Sequence, residues 1–180
     1  MSKPRRTRLL YTAVLLPMAL TSAPSLAQNC LSESMPETTP ATQFVIHGDG
    51  TVTDTTTALM WKQCPSGLSD IDCSNGSTEF YTWDRALQSA NNLNNSGGFA
   101  GYADWRMPNI AELTSLVEEQ CAEPAINSAI FPNTDARFFW SASPDANNDS
   151  ATWFVDFNIG GTGSVNRDDL YPVRLVRSIR

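Results

Sequence analysis

Four cysteines, Cys30, Cys64, Cys73 and Cys121, constrain this chain more than any other feature, because of the leader that precedes them. MSKPRRTR is basic, and LLYTAVLLPMAL (Leu9 to Leu20) is an apolar run of 12 residues. TSAPSLA then places Ser25 and Ala27 at the −3 and −1 positions of a cleavage site. That order reads as a secretory signal peptide over residues 1–27, cut before Gln28. The apolar run is shorter than the ~20 residues that cross a bilayer. Arg8 does not suit a twin-arginine signal, and Gln28-Asn29 before Cys30 are not the small residues of a lipoprotein signal. The expected destination is secreted, periplasmic or cell-surface.

An even number of cysteines in a secreted chain reads as disulfides, and four allow three pairings. Cys64 and Cys73 enclose eight residues that include Pro65 and Gly67, with Asn75-Gly76 just beyond. A local staple between them is the preferred pairing, which leaves Cys30 for Cys121. The long bridge is expected to pin the N-terminal tail to the end of a helix. Zinc is a weak alternative: there is no pair of CxxC motifs and His47 is the only histidine. No basic residue stands close in sequence to activate a catalytic thiol, and His47 alone supports no triad.

Removing residues 1–27 takes four of the 12 basic side chains and no acidic one. The 153 residues left carry 8 basic against 19 acidic groups, a formal −11. So acidic a chain is repelled by nucleic acid and anionic lipid, and neither a nucleic-acid partner nor membrane insertion is expected. The length suits one domain with a proper core.

Residues 28–43 are rich in Ser, Thr, Pro and Glu and read as a tail held mainly at Cys30. The domain is expected over residues 44–180. Phe44 to Ile46, Thr51 to Asp54 and Leu59 to Trp61 read as an antiparallel meander. Trp83, Ala86, Leu87, Ala90 and Leu93 recur at helical spacing after the N-cap candidate Thr82, and Gly97-Gly98 stop that helix. A second helix starts at Asn109, with Glu112 in a capping-box position, and is expected to run to about Gln120-Cys121. RFFWSAS, TWFVDFN, TGSVN and YPVRLVR then read as short strands separated by turn residues. Strands segregated from two helices argue an α+β fold with antiparallel sheet.

GGFAGYADWRMPNIAEL (Gly97 to Leu113) invites a phosphate-loop reading. It has no Lys for the phosphates, carries the acidic Asp104, and follows a helix rather than a strand. The structural reading fits better. Gly101 permits close backbone approach, Asp104 and Arg106 share a charged network, Trp105 is buried, and Pro108 sets the entry to the second helix.

These blocks also carry a family resemblance. GTVTDTTTALMWKQC, YTWDRALQSANNLNNSGGFAGYADWRMPNIAELTSLVEEQC, PAINSAIFPNT, FWSASP and WFVDF…VRLVR, in that order, resemble the C-terminal domain family of the Legionella collagen-like adhesin. The resemblance runs from about Phe44 to Arg177. It implies a C-type-lectin-like fold, with two helices packed on antiparallel sheet, and a role in extracellular recognition. The best-known relative binds sulfated polysaccharides as a trimer behind a collagen-like stalk, so a homotrimer is one implied assembly. This chain shows no Gly-x-y stalk, and its acidity is at odds with a sulfated ligand.

A binding surface is expected on the C-terminal strands. Alternation in TWFVDFN turns Trp153, Val155 and Phe157 to the core and Thr152, Phe154, Asp156 and Asn158 outward. Asn166, Arg167, Asp168 and Asp169 follow, and the loop with Asp145, Asn147, Asn148 and Asp149 is expected beside them. Aromatic and amide groups suit sugar faces and hydroxyls. That loop reads as a hydrated turn, with calcium as the alternative its oxygens allow. No cofactor and no metal site are otherwise expected. Glu123-Pro124-Ala125 lacks the third amide of a calcium-dependent sugar motif, and there is no Trp-Asn-Asp. Arg174 and Arg177 read as outward residues of an edge strand.

The functional expectation is a secreted, non-enzymatic module that binds a glycan or another surface polymer in adhesion. The alternative is a structural or assembly subunit of an envelope complex. Oxidases that share lectin-like folds use a reactive cysteine pair, whereas these cysteines are placed as staples.

Overall fold

A computed structural model describes residues 28–179; the expected signal peptide lies outside the described residues. The tail enters as β1 (Asn29–Cys30) and leads into a meander of β2 (Phe44–Ile46), β3 (Thr51–Asp54) and β4 (Leu59–Lys62). Aspartates close its two turns. Asp49 accepts from the backbone N–H and hydroxyl of Thr51 at 3.0 and 2.6 Å, and Asp54 accepts from Thr56 N–H and the Thr57 hydroxyl at 2.9 and 2.7 Å. The paired strands β5 (Leu68–Ser69) and β6 (Asn75–Gly76) follow, then α1 (Trp83–Asn95), α2 (Ile110–Thr114) and β7 (Cys121–Ala122). The chain ends in β8 (Phe138–Pro144), β9 (Ala151–Asp156), β10 (Gly161–Asn166) and β11 (Val176–Ser178).

All strand pairs are antiparallel. The C-terminal β11 joins the meander to give a four-stranded sheet of order β11-β4-β3-β2, and a second sheet has the order β10-β9-β8. Together with the two helices this is the α+β architecture expected.

Alternation along the strands builds two apolar clusters. Val52, Trp61 and Val176 stand opposite one another across three strands and are fully buried, with Leu113, Leu116, Phe139, Val155 and Phe157 in the same cluster. Met60, Ala86, Ala90, Trp105, Trp140 and Leu175 form the other. Neighbours in sequence therefore serve different clusters: Phe139 and Trp140, or Leu175 and Val176. Each such side chain contributes about 1.5–3 kcal/mol by leaving water. The amphipathic α1 supplies Ala86 and Ala90 to one cluster and α2 supplies Leu113 to the other.

The Gly97–Leu113 segment is a staple, wired differently from the expectation. Arg106 pairs with Glu112, at 2.7 and 2.6 Å, and Asp104 pairs with Arg177, with Nε to Oδ1 at 2.6 Å. Each carboxylate meets the guanidinium whose side chain faces it, not its neighbour in sequence. The close approach is made at Gly98, where a Cβ would strike the Tyr102 carbonyl, whereas a Cβ at Gly101 would meet open space. Asn94 at the end of α1 clamps the backbone of Trp105, accepting its N–H at 3.0 Å and donating to its carbonyl at 2.7 Å.

The disulfides are Cys30–Cys121 and Cys64–Cys73, as the spacing led us to expect. Cys121 is not at a helix end. It lies in β7, which pairs with β1, because α2 stops at Thr114. The tail is also held more widely than at Cys30. The buried Glu118 carboxylate accepts from Thr38 N–H at 2.9 Å and Thr39 N–H at 2.7 Å, and Asn127 donates to the Thr39 carbonyl at 2.9 Å.

Arg174 and Arg177 are not outward. They are 0% and 8% exposed. The segment 173–177 runs between the two clusters, so both of its faces are covered. Arg174 donates to the carbonyls of Lys62 and Gln63 and to the Thr134 hydroxyl, and stands 4.8 Å over the Phe131 ring. Burial pushes its guanidinium down to about 9, which leaves it cationic at neutral pH. Arg177 stands 3.9 Å over the Tyr102 ring.

Candidate functional site

The register of β8-β9-β10 decides which of the expected residues share a surface. Phe154 lies opposite Gly163, Ser164 opposite Trp153, and Asn166 opposite Ala151. Phe154 and Asp156 therefore share one face of the sheet, and Ser164 and Asn166 the other. Phe154 is only 8% exposed. Its ring stacks on Phe138 at 4.0 Å and occupies the space a side chain at Gly163 would need. Thr152, also expected outward, is fully buried. This face is covered because Phe138, Trp140 and Tyr171 pack over it as a run of rings.

The polar residues around the hairpin are engaged in shaping it. Asp156 accepts from Asn158 N–H at 2.8 Å, and Asn166 from Asp168 N–H at 3.0 Å. Asp145 accepts from Asn147 N–H at 2.9 Å and from the Ser164 hydroxyl at 2.7 Å. The Asn147 bond, first, and then Ser164 hold the Asp145 carboxyl below its ordinary value. Asn148 accepts from Ser150 N–H at 3.1 Å, and Asp149 is exposed. The loop and β10 do meet, at Asp145 and Ser164. Arg167 instead donates to the Ala151 carbonyl at 3.3 Å and stands 4.4 Å over the Trp83 ring. Among the described residues no three or more His, Cys, Asp or Glu gather as a metal site.

A recessed site lies elsewhere. A cavity of about 400 Å³ is lined by Gly48, Asp49, Gly50, Lys62, Cys64, Leu68, Ser69, Asp70, Ile71 and Phe99. Four parts of the chain build it, Phe99 of the Gly-rich segment among them. The β2–β3 turn supplies the glycines and Asp49. The end of β4 supplies Lys62, which alternation puts on the same face as Met60. The loop closed by Cys64–Cys73 supplies the opposite wall. Gly50 has a positive φ of 83°, and a Cβ there would lie 2.8 Å from the Phe99 ring, so this glycine lets the ring close over the turn.

Lys62 is the one cation lining this cavity. Its Nζ stands 4.5 Å from the Phe99 ring centroid. The ion pairs among the described residues are Arg106–Glu112 and Arg177–Asp104, so no carboxylate lies within 4.0 Å of the Lys62 ammonium. Burial, and then the Arg174 charge behind it, pull the Lys62 amine below its ordinary value, against an opposing pull from the Glu79 carboxylate. The result is an ammonium beside an aromatic face, with hydroxyl and carboxylate acceptors at Ser69, Asp49 and Asp70.

Sequence reasoning missed this site. The signal was there in LMWK followed by Gln63-Cys64: a lysine closing an apolar strand, two residues before a disulfide staple. What the sequence does not carry is that Phe99, from the distant Gly-rich segment, completes the wall.

Fold and site together define a class. This is a disulfide-stapled α+β domain with no free cysteine, suited to an oxidising, extracellular or periplasmic compartment. No helix among the described residues is long and apolar enough to cross a membrane. The chain belongs to the Lcl C-terminal domain family, whose model matches residues 50–177. A comparison with curated proteins found no match.

Proposed function

We propose that this protein is a secreted, non-enzymatic recognition module that binds a glycan or another surface polymer in adhesion, on a C-type-lectin-like frame. The observation that carries this reading is the recessed cavity of about 400 Å³, which combines the Phe99 face with Asp49, Ser69 and Asp70. A saccharide offers an apolar C–H face for a ring and hydroxyls for carboxylate and hydroxyl acceptors, and a preformed concave site binds it without ordering cost. Membership of the Lcl C-terminal domain family agrees with an adhesin-associated extracellular role. With all four cysteines in disulfides, no thiol remains for cysteine-dependent oxidation chemistry. No cofactor enters the proposal.

A glycan array with the mature protein, residues 28–180, with and without calcium, tests it. Calcium-independent binding to a defined set of glycans is the expected result. No binding in either condition, at protein concentrations of about 0.1 mM, where even weak saccharide affinities register, would remove it.

One observation favours the alternative of an assembly subunit. Leu31 and Ile159, 62% and 69% exposed, line one groove beside the Cys30–Cys121 bridge. Mass photometry of the mature protein, together with a pull-down from its native envelope, separates the readings. A stable hetero-complex without sugar affinity supports assembly, and a homotrimer agrees with the family resemblance.

A further inference from the structure

We propose that the cavity between the β2–β3 turn and the Cys64–Cys73 loop takes the carboxylate of a single acidic sugar residue, with Lys62 as the group that reads the charge. The proposal rests on the glycan reading above and specifies its ligand. A carboxylate on a hexuronic acid and one on a nonulosonic acid present the same chemistry to Lys62.

Charge distribution carries the argument. Lys62 is the positive charge in a lining that also holds Asp49 and Asp70, and the fully buried Arg174 lies behind it, its guanidinium bound to neutral carbonyls and a hydroxyl. Removing an ammonium from water without a contacting counter-ion is unfavourable, and here the compensation is the Phe99 face and the more distant Glu79 charge, with no carboxylate within 4.0 Å. An anion entering the cavity supplies the missing partner in a charge-assisted bond. The fold pre-organises this arrangement, since Lys62 is in a strand and the facing wall is tied by Cys64–Cys73.

The walls limit which anion fits. Asp49 and Asp70, both exposed, also line the cavity. They repel a second negative charge and accept hydrogen bonds from hydroxyls. Leu68, Ile71 and Phe99 offer apolar surface to a pyranose C–H face. A volume of about 400 Å³ accommodates a saccharide unit. One carboxylate set among hydroxyls matches these walls; a densely sulfated polymer does not, and the formal −11 of the mature chain opposes it further.

Calorimetric titration of the mature protein with D-glucuronic acid, N-acetylneuraminic acid, D-glucose and heparin tests the proposal, with nitrogen-15 shift mapping at Lys62 and Phe99. At least one of the two acids binds and moves both residues, and comparing them identifies the source. Glucose binds about tenfold or more weakly, and heparin, whose uronic carboxylates are flanked by sulfates, binds no more tightly than the free acid. Lys62→Gln lowers acid affinity about tenfold or more, while Lys62→Arg, which keeps the charge and controls for folding, retains part of it. Equal binding of glucose and glucuronic acid overturns the proposal, as does unchanged affinity in Lys62→Gln or failure of both acids. Array binding of neutral glycans with no response to either acid overturns this inference and leaves the recognition module standing; no glycan binding of any kind removes both.

Discussion

Glu118 shows how one buried carboxylate organises a tail of unpromising composition. It lies at the start of the Glu118–Gln120 turn and receives the backbone N–H groups and hydroxyls of Thr38 and Thr39, with a further bond from Gln120. Burial alone raises its pKa, and the hydrogen bonds from Thr38, Thr39 and Gln120 outweigh it, so the net shift is downward from its ordinary value. A carboxyl depressed in the folded state contributes stability that is present above its unfolded value and lost as pH falls through its folded one. The Thr38 and Thr39 amide resonances are therefore expected to titrate together with a midpoint below the ordinary glutamate value; a midpoint at or above that value would contradict the assignment. Glu118→Gln leaves buried donors short of acceptors and is expected to cost about 1–3 kcal/mol in denaturant unfolding. At this scale the sequence was least legible. A Ser/Thr/Pro/Glu-rich run reads as a loose tail, and the acceptor that orders it stands 79 residues away from Thr39. Arg174 escaped for a related reason. Alternation in YPVRLVR assumes one wet face, and this segment has none.

At the scale of elements, the span of α1 and both N-cap positions were legible, although Thr82 makes no side-chain cap bond, and the length of α2 was not. Asn109 and Glu112 form the capping box at the start of α2: Asn109 accepts from Glu112 N–H at 2.8 Å, and Glu112 accepts from Asn109 N–H at 2.8 Å. Leu116 and Val117 continue the apolar spacing, but the helix gives way to tighter turns, with Leu116 N–H bonded to Leu113 and Val117 N–H to Thr114. Periodicity reported burial correctly and helix only as far as Thr114. Asn109→Ala is expected to cost about 1 kcal/mol by loss of the cap. Arg106→Ala adds to this less than independently, since both act through Glu112, and a double-mutant cycle by chemical denaturation measures the coupling. Additive costs would show that the two bonds to Glu112 are separate. The β9 strand teaches the complementary lesson. Its alternation placed Val155 and Phe157 inward, but Trp153, expected in the core, is half-buried, and the second face is closed by Phe138 and Tyr171, which arrive from outside the strand.

At the scale of the molecule, the two disulfides have unequal spans. Cys30–Cys121 closes 91 residues and Cys64–Cys73 closes 9. On a chain-entropy account the first is worth roughly 4–5 kcal/mol and the second roughly 2–3. The double variant Cys30→Ala/Cys121→Ala is expected to lose the larger amount in global unfolding. Cys64→Ala/Cys73→Ala is expected to lose less stability but to loosen one wall of the Lys62 cavity. The reverse order would show that the long bridge holds only the tail. The cysteine pairing, the meander and the α+β class were readable because local spacing and turn chemistry determine them. The cavity was not, because it joins the β2–β3 turn, the end of β4, the stapled loop and Phe99.

The central claim is that this domain recognises a saccharide in that cavity. It is tested most directly by backbone-amide shift mapping of the mature protein with the strongest ligand from the glycan array. Shifts clustered at Gly48 to Gly50, Lys62, Leu68 to Ile71 and Phe99 are expected. Shifts confined to the β9–β10 hairpin, or to the groove at Leu31 and Ile159, would contradict it.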